Sequence, residues 1–156
     1  MYTSKQIADW ILSKVNTQAG DTISPLKLQK LLYYCQAWYY TIFKKELFQE
    51  NIEAWAHGPV VASQYARFAF MLRPDQIKID QINIDPPVLE ADADALLNEV
   101  LSIYGEHSAS YLEALTHKET PWIEARKGIP EWVASTEIIT KESMASYYSS
   151  LKSDGE

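Results

Sequence analysis

Three histidines, one cysteine and a few close carboxylates are the side chains whose chemistry has to be weighed first. His57, His107 and His117 do not fall in a His-Glu-x-x-His pattern or any other close metal-ligand spacing. A site drawn from distant positions, His57 and His117 with a carboxylate, would make a small metal-dependent hydrolase. Cys35 sits among Leu31, Leu32, Trp38 and Tyr39 at helical spacing, a setting that suits a small buried hydrophobe better than an activated thiolate. Glu50 with Glu53, and Asp92 with Asp94, are the acidic pairs, of a kind common on solvated faces. No Gly-x-Ser-x-Gly elbow, phosphate-cradling loop or dinucleotide fingerprint occurs, and the chain has five glycines in all. No motif calls for a cofactor. An acid or base with an oriented partner is missing from the sequence pattern, which weighs against catalysis.

Two short segments stand above this background. One is Glu53–Val61 (EAWAHGPVV), where Trp55, His57, Gly58, Pro59 and Val60 crowd a turn. Pro59 fixes its own φ and biases Gly58 away from the α region, so a helix cannot run through them. The other is Leu115–Trp122 (LTHKETPW), with Arg126 following. There Thr116 is placed to cap with Glu119 reciprocating, and Trp122 to fold back on the preceding helix. Both segments fit aromatic-docking corners between helices. They also fit one surface presenting His57, His117, Glu119 and Arg126.

The elements that would carry these corners are mainly helical. Thr3 and Gln6 form a capping box ahead of Ile7, Ala8, Ile11, Leu12 and Val15. Ser24 and Pro25 open a stronger helix whose stripe is Leu28, Leu31, Leu32, Cys35, Trp38, Tyr39 and Ile42. Lys27, Lys30 and Tyr34 fall on another face. Residues 52–55 read as short and extended, and Gly58-Pro59 as the opening of a third helix through Leu72, stopped by Arg73-Pro74-Asp75. Ile77, Ile79, Ile82 and Ile84 alternate, which predicts a small β element near residues 76–85, although Asp80-Gln81 is poor hairpin chemistry. Pro86-Pro87 is a rigid break. Helices follow over Leu89–Tyr104, from Ser108 or Ser110 to about His117, from Thr120-Pro121-Trp122, and from Thr140 onward. The expected fold is mainly α: one compact helical domain over residues 3–151, six to seven helices, and a frayed tail at 152–156.

Composition narrows the function further. The 156 residues carry a formal net charge of −7, which disfavours direct nucleic-acid binding and leaves a DNA-associated regulator, motivated by Lys27 and Lys30, as an alternative only. Residues 85–106 hold six acids and no Lys or Arg. Five Trp and ten Tyr are a surplus for this length and suit core margins or interfaces. The polar N-terminus shows no secretory pattern and no apolar run has membrane length, so a cytoplasmic protein without a membrane association is predicted.

Lys27–Tyr34 (KLQKLLYY), then Ile52-x-Ala54-Trp55-x-x-Gly58-Pro59-Val60, then Leu115-Thr116-His117-x-Glu119-x-Pro121-Trp122 resemble, in order and spacing, the Panacea domain family. Its members are also described as SocA-like antitoxins and phage-associated GepA-type proteins. The resemblance covers roughly residues 4–127. It implies a non-catalytic protein-interaction module that binds and neutralises a cognate toxin, or delivers it to an ATP-dependent protease, the toxin being encoded beside it. Homo-oligomers are compatible with this. Carried over by the motifs are Leu28, Lys30, Leu31, Tyr34, Trp55, His57, Gly58, Pro59, Val60, Thr116, His117, Glu119, Pro121 and Trp122, as scaffold or partner-binding residues. No catalytic or metal-ligating residues are carried over.

Overall fold

The computed structural model describes residues 1–71 and 76–154. Helix α1 (Ser4–Ser13) begins as its capping box requires: Thr3 Oγ1 accepts from the Gln6 amide and the Gln6 side chain accepts from the Thr3 amide. It ends earlier than its apolar spacing suggests, and a 3-10 turn over Thr17–Ala19 leads to Gly20. Helix α2 (Pro25–Phe43) starts at Ser24, whose hydroxyl accepts from the Lys27 amide at 3.0 Å, and stops at Lys44 in a left-handed conformation.

The central role of α2 explains most of the fold. It packs against α1, against α4 (Ala91–Tyr104), against α5 (Ala109–His117) and against α7 (Lys141–Asp154). Being enclosed, it is buried almost all round rather than along one stripe, and Gln29, Lys30, Tyr33, Tyr34 and Gln36 are all interior. The two glutamines serve backbone outside the helices and the three-stranded sheet. Gln36 accepts from the Leu47 amide at 2.8 Å and donates to the Phe48 carbonyl at 2.6 Å, while Gln29 accepts from the Val61 amide at 3.0 Å.

The minor β element lies elsewhere than the isoleucine alternation indicates. Strand β1 (Ile52–Trp55) pairs antiparallel with β2 (Gly58–Val60) through a two-residue turn, Ala56-His57, and on its other side with β3 (Ile138–Ile139). Residues 76–85 contain no strand. They hold a 3-10 turn at Ile79–Gln81, with Ile77 buried and Ile79, Ile82 and Ile84 packed against the core. Asp80-Gln81 cannot close a hairpin, so the isoleucines are buried without pairing.

Gly58-Pro59 therefore forms a strand edge, not a helix start. The helix that follows, α3 (Ala62–Arg67), is short, and the expected continuation to Leu72 and its stop at Arg73-Pro74-Asp75 lie outside the described residues. Ser108, not Ser110, caps α5, accepting from the Tyr111 amide at 3.1 Å. Helix α6 (Thr120–Ala125) has Glu119 at its N-cap position rather than Thr120, and Pro121 in its first turn. The expected tail begins inside α7, which runs to Asp154; residues 155–156 lie outside the described residues.

Candidate functional site

The two corners singled out by sequence meet around α2. At the first, Gly58 has φ +108°, a conformation that L side chains rarely adopt. A Cβ there would stand 2.5 Å from Lys30 Cε and 3.0 Å from both Lys30 Nζ and Thr116 Oγ1. The glycine thus lets the β1–β2 turn lie directly on Lys30 of α2 and Thr116 of α5. Lys30 is wholly buried and donates to the Pro59 carbonyl at 3.1 Å. Burial pulls its pKa down to about 7, with the Glu113 carboxylate partly opposing. Thr116 donates to the Glu113 carbonyl at 2.8 Å and makes no cap with Glu119.

Glu119 turns inward instead. Its Oε1 accepts from Tyr34 and from Tyr148, each at 2.8 Å. Tyr148 lies 2.9 Å from the Tyr33 hydroxyl, and since its one proton serves the carboxylate, Tyr33 is the donor of that pair. Burial raises the Glu119 pKa to about 7 even though both phenols favour the carboxylate. The phenols of Tyr33, Tyr34 and Tyr148 are themselves pushed above their usual range by burial. Tyr34 stacks on Tyr104 with centroids 3.9 Å apart, and the Tyr104 hydroxyl accepts from Trp38 Nε1 at 2.9 Å. Four of the ten tyrosines form this one interior network, closing α2, α4, α6 and α7 together.

At the second corner, Trp122 donates Nε1 to the Trp55 carbonyl at 2.8 Å, and His117 stacks on the Trp122 ring at 4.0 Å. Burial lowers the His117 pKa, and its Nε2 is enclosed with no partner among the described residues. Arg126 is 1% exposed; it donates to the carbonyls of Ala54 and Pro130, each at 2.8 Å, and to that of Val133. Its guanidinium also stands 4.9 Å from the Trp122 ring.

His57 is separate from this interior set. Its ring is largely exposed and meets Glu113 Oε1 at 3.2 Å. His57, His117, Glu119 and Arg126 therefore do not share a surface: one faces solvent and Glu119 and Arg126 are interior. Among the described residues no group of three or more His, Cys, Asp or Glu is placed to hold a metal ion. Cys35 is buried, which pushes its thiol pKa up and keeps it a thiol.

Of the motif residues, Leu28, Lys30, Leu31, Tyr34, Gly58, Pro59, Val60, Thr116, Glu119, Pro121 and Trp122 are buried, and Trp55 and His117 partly so. Tyr33, inside the KLQKLLYY run, and Tyr104, Glu113 and Tyr148, outside all three motifs, belong to the same assembly. Tyr148 meets Glu119 across 29 positions of sequence, a pairing that only the packing of α7 on α2 creates.

Neither the curated proteins nor the solved structures contain a match to this chain. Among the described residues no helix is long and apolar enough to cross a membrane. A family description does match, over residues 28–123, more than half of the sequence and the span that holds all three motifs. The chain belongs to the antitoxin SocA-like, Panacea domain family.

Proposed function

We propose that this chain is a non-catalytic antitoxin-type module, a single domain over residues 3–151 that acts in the cytoplasm by binding and neutralising a partner protein encoded by the adjacent gene. The observation that carries the reading is the family match over residues 28–123, which contains Lys30, Tyr34, Gly58, Thr116 and Glu119 of the buried assembly. Side chains with no exposed surface cannot touch a partner, so we assign the buried motif residues, though not the exposed His57, to the scaffold rather than to a binding face. Delivery of the bound toxin to an ATP-dependent protease is the finer form of the same reading.

Co-expression with the neighbouring open reading frame tests it. The expected result is that the neighbour alone arrests growth, that this chain restores growth, and that the two co-purify. Absence of both rescue and co-purification would remove the neutralising role. Depletion of the neighbour's product only in cells holding the protease would mark the delivery form.

A further inference from the structure

Residues 126–138 form a loop and the first residue of β3, a segment ordered by buried contacts that displays exposed apolar side chains. Lys127 and Gly128 take positive φ values of 51° and 82°, turning the chain sharply out of α6. The Ile129 amide donates to the Arg126 carbonyl and the Val133 amide to the Pro130 carbonyl, each at 2.9 Å. Arg126 then holds the carbonyls of Pro130 and Val133 from below, while the Glu137 carbonyl accepts from the Ala54 amide at 2.7 Å. A loop fixed at both ends loses little entropy on binding.

What this loop displays is Trp132, 81% exposed, with Val133 at 41% and Ile138 at 48%. Trp132 is the one fully solvent-facing Trp of the five, and an exposed Trp on a rigid loop is the kind of anchor that dominates protein interfaces. The two ends of the same segment border a cleft between α6 and β3, lined by Glu124, Lys127, Glu137 and Ile138 among others. The exposed charges of this segment and the end of α6 are mostly acidic. Glu124, Glu131 and Glu137 are exposed, Lys127 is already paired with Glu137 at 3.5 Å, and Glu131 lies 3.9 Å from His117 Nδ1.

That charge selects the occupant. Phosphate backbones and anionic membranes are repelled by the same acids, and a second copy would set acid against acid around the shared tryptophan. We propose that the Trp132 loop is the surface that grips the partner, a protein offering an apolar socket ringed by Lys or Arg side chains. This rests on the antitoxin reading above, and it adds where the contact lies and what chemistry the partner brings. The loop also lies outside the family match at residues 28–123, so on this proposal partner choice sits beyond the matched span.

Calorimetric titration of the purified full chain with the purified product of the adjacent gene, at low and at high salt, tests this. Trp132→Ala is expected to weaken binding at least tenfold, and the double variant E131K/E137K at low salt by a similar factor. Wild-type affinity should fall as salt rises, and Val88→Ala, an exposed apolar change elsewhere, should stay within twofold. Matching circular dichroism and melting curves establish that the variants are folded. Trp132→Ala binding like wild type would overturn the surface while the antitoxin reading stands. Wild type failing to bind at all would overturn both. Self-association abolished by Trp132→Ala, with no binding to the neighbour's product, would assign the loop to a second copy and overturn the proposal.

Discussion

The assembly beneath the β1–β2 turn and the loop after α6 are built from similar residue types, aromatics with Lys, Arg and Glu, yet they differ in which atoms face water. Beneath the turn, the polar tips of Lys30, Tyr34, Tyr148 and Glu119 face one another and the chain's own carbonyls, and none is exposed. In the loop, the buried polar group is Arg126, used to hold backbone, and the aromatic Trp132 is left outside. The first arrangement falls within residues 28–123, the family match, except for Tyr148 of α7; the second lies beyond it. Interior polar groups that must satisfy one another tolerate few substitutions, because removing one strands the others. A loop tip carries no such obligation. The difference separates a buried scaffold from a displayed surface loop.

Breaking the first region should cost most. Gly58→Val would force a branched side chain into φ +108° and against Lys30, which has no solvent to retreat into. Strain and overlap together should remove about 4 kcal/mol of stability or prevent folding. Urea denaturation with an unchanged m-value checks it. A loss below about 1 kcal/mol would mean that the turn can lift from α2 without penalty. Arg126→Ala comes next, at about 3 kcal/mol, since it strips partners from three carbonyls and withdraws packing beneath Trp122. Its particular sign is fast amide exchange at Val133, with the Lys30 region still protected.

The pH response sharpens the contrast, because buried titratable groups belong to the first region. Glu119 has its pKa raised from 4.5 to about 7, so the folded state holds its proton more tightly than the unfolded chain does. Stability from this group is full below about pH 4.5 and is lost as pH rises towards 7, by at most about 3 kcal/mol. Lys30 is lowered from 10.5 to about 7, so the folded state binds its proton less tightly, and stability returns as pH rises from 7 to 10.5. His117, lowered by burial, works against the Glu119 fall near its own range. The difference between wild type and Glu119→Gln isolates the carboxyl: thermal melts of the variant should lose the decline between pH 4.5 and 7. Parallel pH curves for the two proteins would show that Glu119 is not buried as described.

How much of this was legible follows from how local each feature is. The capping box at Thr3, the Ser24-Pro25 start and the α2 core positions are set by neighbours within one turn, and they read correctly. The isoleucines at 77–84 misled because period-two spacing reports burial on alternate sides but not the existence of a pairing strand. One of the two partners of β1, Ile138–Ile139, lies more than eighty residues away and is two residues long. Lys30 and Tyr34 read as a separate face because a periodicity argument assumes one buried side, and α2 has none exposed. The motif residues were found by resemblance, but whether they faced in or out depended on contacts such as Tyr148 to Glu119. Trp132 gave no signal at all: one aromatic in a polar stretch looks the same whether it ends buried or exposed.

The smallest stability effect belongs to Trp132, and its smallness is what the comparison demands. With 81% of its surface exposed, Trp132→Ala removes little buried area, and its loop is held by Arg126 through backbone carbonyls that the substitution leaves in place. The change in unfolding free energy should stay within about 0.5 kcal/mol. Acrylamide quenching gives an independent reading, because Trp10 and Trp122 are buried and Trp38 and Trp55 half-buried. Trp132→Phe should remove most of the readily quenched emission and leave the rest shielded. A stability loss near 2 kcal/mol, or quenching unchanged by the substitution, would put the ring in the interior and erase the distinction between a buried scaffold and a displayed anchor.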